Sequence, residues 1–340
     1  MICFCWVQLP QYAARCIGAL APCVTNERVI VVATRPKVPV RGMERFIPDI
    51  NWIDEDEPRT LQEICGEIPR VLFVPGWGIP VFNRFRDEVR NRGCKVLAMS
   101  DNNYIFSAKE CFKALRFRLI FRSKYDGYLV PGKSGQRLMH FYGVDEGVVA
   151  SGLYAADSEL FHDGEPLAHR PKRMIFVGRL EATKNVIRLC EAFRRSSGLA
   201  DGWCLDIYGC GSLRSGLKDG DGITIHDFMQ PEQIAEKYRE SRVFILPSIK
   251  EHWGLVVHEA ALSGCVLLLS DRVGAKDDML GMDNGFEFDP YSVDSMVVAM
   301  DKAFSMSAKE LAIAQEMSKD MARNAGLDKF VGSVKRLAGL

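Results

Sequence analysis

Residues 243–271 read VFILPSIKEHWGLVVHEAALSGCVLLLSD, and the order of apolar and chain-breaking residues in this stretch decides the fold. Val243 to Leu246 is an apolar run too short for a helix. Pro247 and Ser248 close it, so a buried strand is expected. A polar loop carrying Lys250, Glu251 and His252 follows. From Gly254 onward, Leu255, Val256, Glu259, Ala260 and Leu262 are spaced to share helical turns, until Gly264 ends the helix before a second strand, Val266 to Leu269. Strand, loop, helix and strand make one right-handed crossover unit of an α/β sheet.

In such a unit the helix starts just past the carboxyl end of a strand. Its unpaired backbone N–H groups and positive dipole end face the crevice in which open parallel sheets bind ligands, an arrangement suited to phosphate. Gly254, Leu255 and Val256 are therefore candidate ligand-facing positions. Glu251 lies in the loop and Glu259 stands eight positions later, about two turns into the helix. An acid at Glu251 can bond sugar hydroxyls, and one at Glu259 a ribose diol. Each can equally be structural, Glu251 as a solvated loop charge and Glu259 as a surface or capping residue.

A chain of 340 residues with 47% hydrophobic and 26% charged residues has the size of two ordinary soluble domains. Its formal net charge is zero, so no overall field recruits nucleic acid or a membrane, and a charged partner has to meet a local patch. The eleven cysteines are odd in number and contain no CxxC pair, which argues for reduced thiols and a cytoplasmic setting. Cys3 and Cys5 alternate with Phe4 and Trp6 as strand positions do, and are not read as metal ligands. Gln8, Pro10, Gln11 and Arg15 interrupt the first apolar run, and no stretch reaches the ~18 apolar residues of a membrane span. The mature chain is expected to start here.

Upstream of the opening stretch, Met174 to Val177 is expected as a strand. It runs into Gly178-Arg179-Leu180-Glu181-Ala182-Thr183-Lys184-Asn185. Two cations five residues apart across a strand-to-helix loop can both reach a diphosphate, Arg179 through its planar fork and Lys184 as a movable point charge. Gly209-Cys210-Gly211 is a glycine turn that can approach a ligand. A strand is expected over Ile223 to Met229, with Phe228 and Met229 at its end just before Pro231.

These residues, taken together, resemble the retaining glycosyltransferases of family 4. Glu251 and Glu259 with Gly254, Ala260 and Gly264 are similar to that family's Glu-x7-Glu signature, and Gly178, Arg179 and Lys184 to its GRL…K motif. The likeness runs from about Arg173 to Ala303. It implies the GT-B fold, two doubly wound Rossmann-like domains facing a central cleft. It also implies a retaining, metal-independent transfer from a nucleotide-diphosphate sugar to a hydroxyl of a glycan or lipid-linked glycan. In that reading Arg179 and Lys184 stabilise the departing diphosphate, Glu251 holds the donor sugar, Glu259 the ribose, and the loop of Phe228 and Met229 lies against the base. No Asp-x-Asp sequence is read as a metal motif, no metal site is expected, and no cofactor is implied beyond the donor substrate.

Three segments follow from the same reading: an acceptor-binding domain over 1–165, a donor-binding domain over 166–305, and helices over 306–340 that pack back on the first. The polar stretch His162 to Arg173 is the expected linker. In the first domain the resemblance thins. The turn Gln8-Leu9-Pro10-Gln11 lacks the family's paired glycines, and no counterpart of its usual histidine is found. Trp77, flanked by Gly76 and Gly78, can offer a flat surface to a sugar ring or simply pack. Asp101 and Asn103, beyond a strand end, can bond an acceptor hydroxyl or simply form a turn. Residues 107–124, SAKECFKALRFRLIFRSK, carry a local charge of +5 among aromatics. They suit either an anionic membrane surface or a core helix with a wet basic face.

Two other functions stay open on the sequence. A nucleotide-sugar 2-epimerase shares the fold, and a non-catalytic nucleotide-sugar-binding protein would explain the missing glycines and histidine.

Overall fold

The computed structural model describes residues 1–35 and 42–340. The chain divides into two units, one of 1–155 with 325–340 and one of 156–324. Each is a doubly wound α/β domain, as the alternation of apolar strands and amphipathic helices requires.

In the first unit the elements are β1 (Ile2–Trp6), α1 (Gln11–Leu20), β2 (Val29–Thr34), β3 (Ile50–Ile53), α2 (Leu61–Cys65), β4 (Val71–Pro75), α3 (Pro80–Arg90), β5 (Lys95–Met99), α4 (Ala108–Ile120), β6 (Gly127–Val130), α5 (Lys133–Phe141) and β7 (Val149–Ser151). The strands pair in parallel in the order β3-β2-β1-β4-β5-β6-β7. Alternation along β1 sends Ile2, Phe4 and Trp6 to the core beneath α1, and Cys3 and Cys5 to the core shared with α2, α3, α4 and α5. Both faces are buried, which is why these strands read as unbroken apolar runs.

The second unit holds β8 (Arg173–Val177), α6 (Val186–Arg195), β9 (Cys204–Tyr208), β10 (Ile223–His226), α7 (Pro231–Arg239), β11 (Val243–Leu246), α8 (Leu255–Leu262), β12 (Val266–Ser270), α9 (Lys276–Met279), β13 (Gly285–Phe288), α10 (Val293–Phe304) and α11 (Ala308–Arg323). Its sheet is also parallel, in the order β10-β9-β8-β11-β12-β13. The chain lays strands outward from β8 through β9 to β10, then returns to place β11 on the other side of β8. This reversal opens a crevice at the carboxyl ends of β8 and β11, the position where sheets of this kind take ligands. The opening stretch of sequence is β11-α8-β12, and its glycines act as expected: Gly254 (φ 92°) and Gly264 (φ 75°) bracket α8 in the left-handed conformation.

The last helix, α12 (Leu327–Ala338), belongs to the first unit, where Phe330, Val334 and Leu337 enter the core beneath β1 and Phe330 lies 6.4 Å from Phe4, centroid to centroid. The expected segment boundaries therefore shift at both ends. The first unit closes at 155 rather than 165, and 308–323 stays in the second unit. The stretch His162 to Arg173 is not a free linker, because it is bonded into the second unit. Phe161 packs on Tyr238, and the Leu167 N–H donates to Gln315 Oε1 of α11 at 2.9 Å. Arg170 is buried and donates to the carbonyls of Glu165 (2.8 Å), Ser241 (3.0 Å) and Ser263 (3.0 Å).

Arg170→Met should remove the guanidinium donor from the buried carbonyls of Ser241 and Ser263. We expect a loss of on the order of 3 kcal/mol in unfolding free energy, read from the urea midpoint; a change below about 0.5 kcal/mol would mean the carbonyls find water instead.

Candidate functional site

The loop beyond β8 is shaped by its neighbours before any side chain is considered. The Gly178 N–H donates to the Tyr208 carbonyl, the Leu180 N–H to the Cys210 carbonyl at 2.8 Å, and the Leu180 carbonyl accepts from Leu213 at 2.9 Å. A Cβ at Gly209 would stand 1.9 Å from the Gly178 carbonyl oxygen, and one at Gly211 2.6 Å from that of Leu180. The Gly209–Gly211 turn is therefore glycine so that two loops can lie backbone to backbone. The side of each glycine that lacks a Cβ is filled by protein.

The chain next makes a 3-10 turn over Ala182–Lys184, ended by Asn185 in the left-handed conformation (φ 60°). The buried Asn185 side chain donates to the Pro290 carbonyl at 2.7 Å, which fixes the turn against the strand-side scaffold. The Ile249 N–H donates to the Thr183 carbonyl at 2.9 Å, tying the loop after β11 to the turn after β8. From the other side, Gly274 N–H donates to the Glu251 carbonyl (3.2 Å) and Ala275 N–H to that of Trp253 (2.9 Å). Within this frame Lys184 and Glu251 form an ion pair through Nζ and Oε2, each side chain only 14% exposed. Ser248, fully buried, donates its hydroxyl to the same carboxylate oxygen at 3.2 Å.

Gly254 follows at once and caps α8, with Leu255 and Val256 half-buried in its first turn. Glu259, also half-buried, accepts from the Tyr238 hydroxyl at 3.3 Å. Burial raises its carboxyl to about 7, against a small opposing pull from the tyrosine. Among the described residues, the buried side-chain nitrogens with no hydrogen-bond partner in the protein include His252 Nδ1 and Trp253 Nε1, both in this loop.

Of the expected donor-side residues, the structure thus brings Lys184, Glu251, Gly254 and the start of α8 together beyond the carboxyl ends of the central strands β8 and β11. Arg179 is on the same loop but not in that cluster. Its side chain is 72% exposed and pairs with Glu181 at 3.1 Å. Phe228 is exposed and Met229 half-buried, just past the end of β10, the edge strand. Ser248, Asn185 and Tyr238 were not anticipated. Ser248 stands three residues before Glu251, a spacing that could have suggested it; the other two act across elements, which spacing alone does not reveal.

In the first unit, Trp77 packs edge-on against Phe117 (4.8 Å between centroids) and near Phe121 and Tyr142, so the packing reading describes it. Asp101 is exposed, and the Tyr154 hydroxyl has its pKa raised by burial first, and then by neighbouring Tyr12 and Asp101. Tyr154 also meets Tyr12 edge-on at 5.5 Å. Asn103 lies two residues beyond, half-buried. In the glycine-free first turn, Gln8 itself takes a positive φ of 50°, held by its N–H bond to Thr34 Oγ1 at 2.8 Å. That is a costly conformation for a residue with a side chain, and it sits where the resembled family uses glycine.

Residues 157–326, half of the chain, match the family of group 1 glycosyl transferases, and the chain belongs to that family. Among solved structures it is similar to a glycosyltransferase from Rickettsia africae (TM-score 0.74, 12% identity, covering 99% of this chain and 97% of that one). It is also similar to HepE of Anabaena in complex with UDP and glucose (TM-score 0.73, 11% identity, 100% of both chains) and to sucrose-phosphate synthase of Thermosynechococcus elongatus (TM-score 0.72, 13% identity, 99% and 98%). No curated protein matches the sequence. The fold is GT-B, and the protein is a glycosyltransferase acting on a nucleotide-sugar donor.

The raised carboxyl of Glu259 has a consequence for stability. Between about 4.5 and 7 the folded chain holds a proton that the unfolded chain has lost, so this group's contribution is full below about 4.5 and is lost as pH rises through 7. Glu259→Gln should flatten the decline in urea midpoint over that window; an unchanged slope would place the titration elsewhere.

Proposed function

We propose that the chain carries out a retaining, metal-independent sugar transfer, with Lys184 and the amino end of α8 meeting the diphosphate and Glu251 meeting the donor sugar. The ion pair between Lys184 and Glu251 at the strand-order reversal is the observation that carries this reading. A cation and an acid held against each other there are both prepared for ligand. When a diphosphate enters, its oxygens take over the Lys184 ammonium, and Glu251 accepts from sugar hydroxyls in its place. Negative charge growing on the leaving diphosphate is then met by a charge already in place, aided by the N–H groups of Leu255 and Val256. Arg179 would join by leaving Glu181, a weak exposed partner. Glu259 would accept from the ribose, Gly178 would let the phosphate approach, and the loop of Phe228 and Met229 would lie along the base.

We assign the acceptor to a glycan or lipid-linked glycan, as in polysaccharide or glycoconjugate synthesis, with Asp101, Asn103 and the Tyr154 hydroxyl as the polar groups nearest to that role in the first unit. Asp101 is the group we would test as proton acceptor for the acceptor hydroxyl. A lipid-linked acceptor would be met at the inner membrane surface, through residues 107–124.

Lys184→Ala should lower turnover by at least about a hundredfold with the native circular-dichroism spectrum kept at the assay temperature, although loss of the partner of the Glu251 carboxylate lowers the melting temperature. The assay is nucleoside diphosphate release with a panel of nucleotide sugars, with and without oligosaccharide acceptors. Full activity in this variant would remove Lys184 from the mechanism, and donor-sugar interconversion without release would point to an epimerase.

A further inference from the structure

We propose that α4 seats the protein on an anionic bilayer through an apolar stripe that the fold leaves uncovered. This deepens the lipid-linked reading of the acceptor, but it stands on the geometry of one helix and does not require the transfer reaction.

At 100° per residue, the inward positions of α4 are Glu110, Ala114 and Phe117, all buried, with half-buried Phe121 just beyond. Phe112, Leu115 and Leu119 fall on the opposite side. A second apolar face is thus set roughly half a turn from the first, and it is exposed: Phe112 is 69% exposed, Leu115 54% and Leu119 76%, with Phe106, 70% exposed, just ahead of the helix. Several bulky apolar residues contiguous on one exposed helix are unusual for a surface that meets only water.

The charges on this helix select the partner. Lys109, Lys113 and Arg116 lie along one flank of the stripe, and Arg122 and Lys124 follow its end. The one acid of the helix, Glu110, is turned inward, taking a hydrogen bond from the Tyr142 hydroxyl and an ion pair from Lys113 at 2.9 Å. No acid on α4 therefore opposes an approaching anionic surface. Apolar groups at the centre and cations at the flank suit a helix lying in the plane of a bilayer with anionic headgroups. A second copy of this chain would bring the same cations against themselves. Among the described residues no helix is long and apolar enough to cross a membrane, so contact through this surface is peripheral.

The test is co-sedimentation of the full chain with vesicles of phosphatidylcholine alone or with 30% phosphatidylglycerol, in the absence of donor and acceptor. Binding is expected only to the anionic vesicles and should weaken as salt rises. Removing two flank charges, Lys109→Ala with Arg116→Ala, should weaken it on the order of twentyfold, from about fivefold per cation. Phe112→Ser with Leu119→Ser should weaken binding to the same vesicles at least about tenfold. The four positions are exposed, so folding is expected to survive and is checked by thermal melt.

Equal binding to both vesicle types, no binding to either, or binding that ignores the Phe112 and Leu119 changes would each overturn the proposal. So would a dimer in sedimentation equilibrium that the same changes dissociate, since the stripe would then belong to a second copy. Turnover of a soluble donor and acceptor, measured on the same variants, separates this outcome from the transfer reading. Vesicle binding without turnover would leave the surface assigned and the reaction in question.

Discussion

A single backbone hydrogen bond, from Ile249 to the carbonyl of Thr183, joins the two loops on which the candidate site depends. The strand order places β8 beside β11, with Val243 opposite Met174, so the two carboxyl ends are neighbours although 67 residues separate Lys184 from Glu251. Proximity of strand ends does not by itself place side chains. Ordering a loop costs about 1–2 kcal/mol per residue in backbone entropy, and here the cost is offset by bonds to surrounding backbone: Gly274 and Ala275 hold one loop, Cys210 and Leu213 the other. The ion pair closes a frame already built.

How far this was legible in the sequence depends on the range of the interaction. Strands β8, β11 and β12 announce themselves as apolar runs closed by breakers, and Gly254 and Gly264 mark the ends of α8, because each of those signals is local. The meeting of Lys184 with Glu251 was readable only as an expectation carried by family resemblance. The placement of Arg179 against Glu181 was not readable at all, since a flexible side chain chooses among partners that spacing cannot rank. The Gly209–Gly211 turn shows the reverse error. Glycines near a crevice suggest ligand approach, yet their missing Cβ atoms make room for the backbone of Gly178 and Leu180.

The boundary between the units was misplaced for a related reason. A stretch rich in Gly, Pro and charge, such as His162 to Arg173, reads as linker because its composition is polar. Arg170 shows how a polar residue becomes a core residue: its planar fork donates to the carbonyls of Glu165, Tyr238, Ser241 and Ser263, so burying it is compatible with stability in a way that composition does not register. In α4 the difficulty was an excess of signal. Apolar residues occupy two opposite faces, so their periodicity could not say which one the core would take; only Phe117 in the aromatic cluster with Trp77 and Tyr142 settles it.

The pairing of Lys184 with Glu251 also bears on what the site accepts. In the proposed reading, a bare phosphate that captured the ammonium would take the cation from a carboxylate that is only slightly exposed while giving it no hydroxyl donor in return. A ligand that brings hydroxyl donors within reach of Glu251 while its phosphates reach Lys184 repairs both halves of the exchange. On the proposed reading a sugar diphosphate is favoured over free phosphate, because a ligand offering one chemistry without the other breaks a bond it cannot replace.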